Sequence, residues 1–183
     1  LAVARELKTP GLQPLLDEFY KRPDNIAIRY GIKFEEALET ELLANLGSDV
    51  QKPETNDQAA TTKLMEDKVP VIYQGILRGG SGEIEFSGRP DFLLRDDHEF
   101  QFGDQGLTAV KIRDEVTGYS AWDAKLSKTP KLDYQNQVAL YVDVLDQLGL
   151  SSARPHGLIQ GNREINGFDR EVLLSQMVPK RTE

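Results

Sequence analysis

Tyr119-Ser120-Ala121-Trp122-Asp123-Ala124-Lys125-Leu126, followed at once by a helical pattern over 133–148, decides how this chain is read. The octet has the alternation of a β-strand, in which successive side chains point to opposite faces. Trp122, Ala124 and Leu126 are expected to face a core, and Asp123 and Lys125 the other side. A second carboxylate on a neighbouring strand, Asp91, would meet them and complete a divalent-metal site with a cation beside it. That combination suits hydrolysis of a phosphodiester: hard oxygen ligands for Mg²⁺ or Mn²⁺, and a lysine to hold water or developing negative charge. The plainer alternative is a Lys–Asp pair on a half-exposed strand.

Outward from this strand, the pattern is that of an α/β protein. In 133–148 the apolar positions are Val138, Leu140 or Tyr141, Val144, Leu145 and Leu148, and Gly149 is a natural stop. Upstream, 32–46 is the clearest helix: Phe34, Leu38, Leu42 and Leu46 recur at i+4, with Ala37 and Leu43 beside them, and Gly47 ends it. A shorter helix is expected over 11–21, broken by Arg22-Pro23-Asp24-Asn25. The polar 49–63 reads as a loop leading into a helix near 63–67. Val69–Leu77 reads as extended chain, Gly79-Gly80-Ser81-Gly82 as a turn, and 83–88 and 90–95 as strands, or one long strand bent at Gly88–Pro90 because proline cannot donate to a ladder. The segment 96–117 is polar with scattered Phe100, Phe102, Leu107 and Val110, either an extra strand or mobile. A strand is expected over 156–160 and a last strand or helix over 168–176. Helix, strands, helix, strand is the order of a mixed β-sheet flanked by helices.

Composition narrows the function classes. At 39% hydrophobic and 28% charged residues, this is an ordinary globular composition, and 183 residues suit one domain or one domain with a floppy end. No run of about 18 apolar residues exists and the start lacks the apolar core of a signal peptide. Cysteine is absent, which excludes disulfides and thiolate-held metals and fits a cytoplasmic location. The chain begins with Leu1 and ends in Pro179-Lys180-Arg181-Thr182-Glu183, so a piece cut from a longer protein is one expectation and a chain lacking a disordered start is the other. A net charge of −8 opposes long-range steering of nucleic acid, but a local basic patch at Lys125, Lys128 and Lys131 can act at close range. The alternative for Lys128 and Lys131 is two solvated loop lysines.

Three further positions attract notice. At about 100° per residue, Glu35 falls between Leu42 and Leu46, inside the apolar face of its helix, while Glu36 falls outside. An inward carboxylate needs a partner: a metal, a lysine, or an arginine such as Arg29 or Arg89. Gln137 and Tyr141, at i and i+4, share one face of the helix that follows the Asp123–Lys125 strand. Asp91 follows Gly88-Arg89-Pro90, a bend that permits close approach of backbone or ligand; otherwise it is a turn aspartate capping its own backbone. His98 and His156, the only histidines, are read as structural rather than catalytic.

Together, Gly88-Arg89-Pro90-Asp91-Phe92-Leu93, Trp122-Asp123-Ala124-Lys125-Leu126 and Gln137-Val138-Ala139-Leu140-Tyr141 resemble the RecB-like branch of the PD-(D/E)XK nuclease superfamily. Gly31-Ile32-Lys33-Phe34-Glu35 is similar to its first motif, and the likeness spans roughly 31–161. The resemblance implies a restriction-endonuclease-like fold and a metal-dependent nuclease acting on DNA, on single strands or ends, in repair or recombination, with a helicase domain or subunit as partner. It implies that Asp91 and Asp123 ligate Mg²⁺ or Mn²⁺, with the Ala124 carbonyl as a further ligand and Glu35 as an outer or second-metal ligand. Lys125 would orient the attacking water or stabilise the pentavalent phosphate, and Gln137 and Tyr141 would contact DNA or brace the site. The chain departs from the pattern in three ways: Asp123 stands where many relatives have Glu, Phe34 where many have a His ligand, and the four cluster-binding cysteines of some relatives are missing. Two other readings remain at this point: a non-catalytic nucleic-acid or protein binding module on the same fold, and a metal-dependent phosphoesterase acting on free nucleotides.

Overall fold

The computed structural model describes residues 26–81 and 84–177. The helix expected over 11–21 and its break at 22–25 lie outside the described residues. In chain order the elements are α1 (Ile26–Leu46), a 3₁₀ turn (Gly47–Asp49), β1 (Val50–Gln51), α2 (Gln58–Glu66), β2 (Val71–Tyr73), β3 (Leu77–Ser81), β4 (Ile84–Gly88), β5 (Phe92–Arg95), β6 (His98–Gly103), β7 (Gly106–Lys111), β8 (Tyr119–Lys125), α3 (Leu132–Gln147), β9 (His156–Gln160), β10 (Ile165–Phe168) and α4 (Arg170–Met177). Six strands form one mixed sheet in the order β1-β2-β5-β8-β9-β10. β1 with β2 and β8 with β9 are parallel, and the other three neighbours are antiparallel. β3 with β4 and β6 with β7 are separate hairpins.

The central strands are covered on both faces, so β5, β8 and β9 read as nearly continuous buried runs. On one face Leu38 and Leu42 of α1 pack with Val71, Tyr73, Phe92, Leu94, Trp122, Ala124 and Ile159, closed over by Phe100, Leu107 and Ala109 of the β6–β7 hairpin. Glu41 and Asn45 pin α1 to that hairpin: Glu41 accepts the Leu107 N–H at 2.7 Å and Asn45 donates to the Leu107 carbonyl at 2.9 Å. On the other face Met65 of α2 and Tyr141, Val144 and Leu145 of α3 pack on Ile72, Leu93, Tyr119 and Ala121. α3 turns a second side, Val138, Ala139 and Val142, toward Leu158 and Leu173 of α4. It ends where Gly149 takes φ +69°, a left-handed conformation that glycine adopts at little cost.

Several expectations are corrected. α1 starts six residues before 32, and Ala37 and Leu43 on it are exposed. α2 begins at Gln58, ahead of the expected 63, because Asp57 caps it by accepting the Ala60 N–H at 2.8 Å. The strands near 83–88 and 90–95 are not one bent strand: β4 belongs to a hairpin and β5 to the main sheet. Gly79 and Gly80 lie inside β3 rather than in a turn. The polar 96–117 is anchored by a two-stranded hairpin whose Phe100, Leu107 and Ala109 join the core. The alternatives at 168–176 resolve as the end of β10 followed by α4. Leu126 is 44% exposed, because β8 ends at Lys125 and the chain leaves the sheet.

His156 shows how closely the sheet is packed at its start of β9. Its ring is fully buried; Nδ1 accepts the Ala121 N–H at 3.0 Å and Nε2 lies 3.3 Å from the Ser152 carbonyl. A protonated ring has no acceptor, so charging it would set an N–H against the Ala121 N–H. Burial is the main cause that pushes its pKa down to about 4. The neutral ring therefore contributes stability that is full above pH 6.5 and is lost as the pH falls toward and through about 4, on the order of 3 kcal/mol in all. In an NMR titration the His156 ring should stay neutral until close to pH 4; a midpoint at the ordinary histidine value would contradict the buried neutral tautomer.

Candidate active site

The site is built by strand register. β5 and β8 run antiparallel with Phe92 opposite Trp122, so the residue before β5, Asp91, falls beside Asp123 on the α3 face of the sheet. The pairing is then locked by hydrogen bonds. The Asp91 N–H donates to Asp123 Oδ1 at 3.2 Å, the Ala124 N–H donates to Asp91 Oδ2 at 2.7 Å, and the Gln74 N–H donates to the Asp91 carbonyl at 2.9 Å. Pro90 is suited to this place, at the entrance to a strand, where it forgoes a ladder donor without loss.

Asp123 is buried, and Lys125 Nζ donates to its Oδ2 at 2.8 Å. The Lys125 ammonium also lies 5.5 Å from the centre of the Tyr134 ring, in the first turn of α3. Burial opposes the charge of Lys125, but Asp123, Asp91 and Glu35 outweigh it and raise its pKa above the ordinary lysine value. Asp91 is shifted well above the usual carboxylate range, first by burial, then by the negative charge of Asp123 and of Glu35; Lys125 and the Ala124 N–H only partly oppose this. Two carboxylates held side by side with one lysine leave negative charge in excess.

Glu35 is half-buried on α1 and acts on the pair from the opposite layer; it raises Asp91, Lys125 and the Tyr73 hydroxyl alike. Gln137 and Tyr141 do share a face. Gln137 Nε2 donates to the Tyr141 hydroxyl at 2.7 Å, and that hydroxyl donates to the Arg89 carbonyl at 3.3 Å. Tyr141 is buried, and its place depends on Gly88, where an added Cβ would lie 2.5 Å from its ring. This geometry braces the Gly88–Asp91 turn from behind. Lys128 and Lys131 are exposed, and the Lys131 ammonium lies 5.7 Å from the centre of the Tyr134 ring, so two lysines approach one ring.

Asp91, Asp123, Ala124, Lys125 and Glu35 are thus brought to one place. Among the described residues no three Asp, Glu or His side chains form a ready-made cage for a metal ion. The donor set nevertheless fits a hard divalent cation, because the two adjoining carboxylates carry the charge that such an ion neutralises. Lys52, Gln74, Arg89 and Tyr134 also border the site. Of these, Tyr134 had a readable signal, an aromatic in the first turn after the Lys125–Lys131 segment; Lys52 and Gln74 had none, being brought in by the β1–β2 pairing. Compared with models of protein families, with curated proteins and with solved structures, the chain has no match.

The raised Asp91 carboxyl has a thermodynamic sign. Its contribution to stability is present below the ordinary value of 3.8 and is lost as the pH rises through the elevated value, so ionising Asp91 beside Asp123 weakens the metal-free fold. Asp91→Asn keeps an oxygen for the Ala124 N–H and cannot ionise. Above the elevated value the metal-free variant should therefore be more stable than the wild type. Mg²⁺ or Mn²⁺ should raise the wild-type Tm and leave that of the variant unchanged. A variant that melts lower than the wild type without metal would show that the pair is not electrostatically frustrated.

Proposed function

We propose that this chain is a metal-dependent nuclease that hydrolyses DNA phosphodiester bonds, on a restriction-endonuclease-like fold of the RecB type. The observation that carries the reading is the register-fixed pair Asp91 and Asp123 with Lys125 2.8 Å from Asp123. The order of elements through the site supports it: α1, then β2, β5 and β8 as an antiparallel run, then α3, then β9 parallel to β8.

Asp91 and Asp123 would hold Mg²⁺ or Mn²⁺, with the Ala124 carbonyl as a further oxygen and Glu35 as an outer ligand. The bound ion supplies Lewis acidity toward the scissile phosphate and lowers the pKa of an attached water. Lys125 presents an ammonium next to Asp123, where it orients the attacking water or takes up the negative charge that grows on the phosphoryl oxygens. Tyr134, 5.5 Å from that ammonium, helps to hold it. The proton for the leaving oxygen comes from water, since His156 is buried in the sheet and His98 is committed to Asp97 at 2.6 Å. Lys128 and Lys131 lie on the loop after β8 and would meet the DNA backbone. Single strands or ends suit a site bordered by Tyr134 and the exposed Leu126 and Leu132, on which bases can rest. A helicase domain or subunit would present such strands.

The net charge of −8 favours a second reading, a non-catalytic module that grips nucleic acid or protein through the same face. One assay separates the two. End-labelled single- and double-stranded DNA is incubated with the protein in Mg²⁺ or Mn²⁺, with an EDTA control. The wild type should cut only with metal. Asp123→Asn should abolish cutting and retain binding, and Lys125→Ala should slow it by about 10²–10³-fold or more. A fully active Lys125→Ala protein would sink the mechanism, and a wild type that binds without cutting under either metal would establish the module.

A further inference from the structure

Lys52, Gln74 and Arg89 come from three separate segments and converge at the end of β2, one backbone hydrogen bond from Asp91. β1 pairs with β2 so that Gln51 is opposite Ile72, which carries Lys52 alongside Tyr73, its ammonium 5.4 Å from the ring centre. Gln74 follows directly. Its Oε1 accepts from Lys52 Nζ at 3.0 Å and from the Arg89 guanidinium at 2.7 Å. Two cationic donors thus meet at one neutral acceptor. Arg89 has further interactions and the Tyr73 hydroxyl is bonded to Glu39, so the surroundings are not wholly basic.

The backbone at Gln74 makes the arrangement more telling. Gln74 has φ +53°, a left-handed conformation that costs a non-glycine residue about 1–2 kcal/mol. The glycine of the turn is the next residue, and it is needed there: a Cβ on Gly75 would lie 2.8 Å from Thr61 and 2.9 Å from Leu93. The strained position therefore bears a long amide side chain that gathers the two cations. Its N–H, bonded to the Asp91 carbonyl, fixes the cluster relative to the site.

We propose that Lys52, Gln74 and Arg89 form a phosphate-binding subsite that takes the backbone phosphate next to the one cleaved. A phosphodiester offers two charged acceptor oxygens to the same two donors, which Arg and Lys bind by fork and by point charge. The Gln74 amide oxygen preorganises them. This assignment rests on the nuclease reading for its substrate, but its test does not depend on cleavage.

The test uses the whole chain carrying Asp123→Asn, with a fluorescently labelled single-stranded oligonucleotide, and follows binding by anisotropy as salt is raised. Adding Lys52→Ala should weaken binding by about threefold to tenfold and reduce the slope of log K against log salt by about 0.7, one phosphate contact on a single strand. Lys52 is exposed, so the variant folds; Lys52→Arg should restore both affinity and slope. A strand made neutral with methylphosphonates should lose the difference between Lys52 and Lys52→Ala. An unchanged slope in Lys52→Ala overturns the subsite even if the wild type cuts DNA. A slope that depends on Lys52 in a protein that never cuts supports the subsite and removes the nuclease reading.

Discussion

The register of β5 on β8 is the constraint from which the site follows. With Phe92 opposite Trp122, the side chains of one face enter the α1 core while Asp91 and Asp123 meet on the other. A shift of one residue would turn every side chain of β5 over and send Leu93 into the α1 layer. The core thus specifies the site: Phe92, Leu94, Trp122 and Ala124 hold the strands in the one alignment that sets two carboxylates together. The Ala124 N–H to Asp91 and the Asp91 N–H to Asp123 then close the end of the ladder with side chains as acceptors. This satisfies backbone groups that would be costly to leave unpaired in a buried place.

β5 has buried carboxylates at both ends, and they are treated differently. Asp97 receives a two-pronged Arg95 at 2.7 and 2.8 Å and His98 at 2.6 Å; burial works against its charge, yet these partners hold its pKa below the ordinary value. Asp96 receives Arg113 at 2.6 Å, the Thr117 N–H and hydroxyl, and the Ser152 hydroxyl. These are settled structural charges. At the other end of the strand, Asp91 is raised by burial and by two carboxylate neighbours, with a single lysine in reply. The same fold therefore gives its buried acids cationic and hydroxyl partners where it only has to stand, and crowds carboxylates together where Asp91 and Asp123 meet. Perturbation of this kind concentrates at functional positions.

Much of this was legible in the sequence because it rested on short-range patterns. The i+4 recurrence of Leu38 and Leu42, the apolar run of 133–148 and the alternation around Asp123 each report a local period, and each element formed. Glu35 could be placed by helical angle alone, and it does act on the pair. What escaped reading depended on pairing between distant segments. The β6–β7 hairpin has one exposed face and scattered apolar residues, so 96–117 left an extra strand and a mobile segment as alternatives and did not reveal a pair of strands. The separation of β4 from β5 turns on which partner each finds, and no periodicity encodes that. Leu126 was assigned to the core by extending an alternation past the last residue of its strand. Lys52 and Gln74 reach the site only through the β1–β2 edge, so no motif in the chain brings them together.

The placement of cations bears on how an acidic chain could take the anionic substrate proposed for it. Lys125, Lys131, Lys128, Lys52 and Arg89 all lie on segments that flank the Asp91–Asp123 end of the sheet: the loop after β8, the segment after β1 and the turn before β5. Screening confines the influence of exposed charges to roughly a Debye length, about 8–10 Å in ordinary salt. For the proposed nuclease, the net charge of −8 would slow encounter with DNA from a distance, while the local set would act once a strand is in contact. Loose, sequence-independent adhesion to duplex DNA depends on extended positive patches, and a cation set confined to one end of the sheet would instead suit a strand presented to one point. A divalent ion on the carboxylate pair would then offset its repulsion of such a strand.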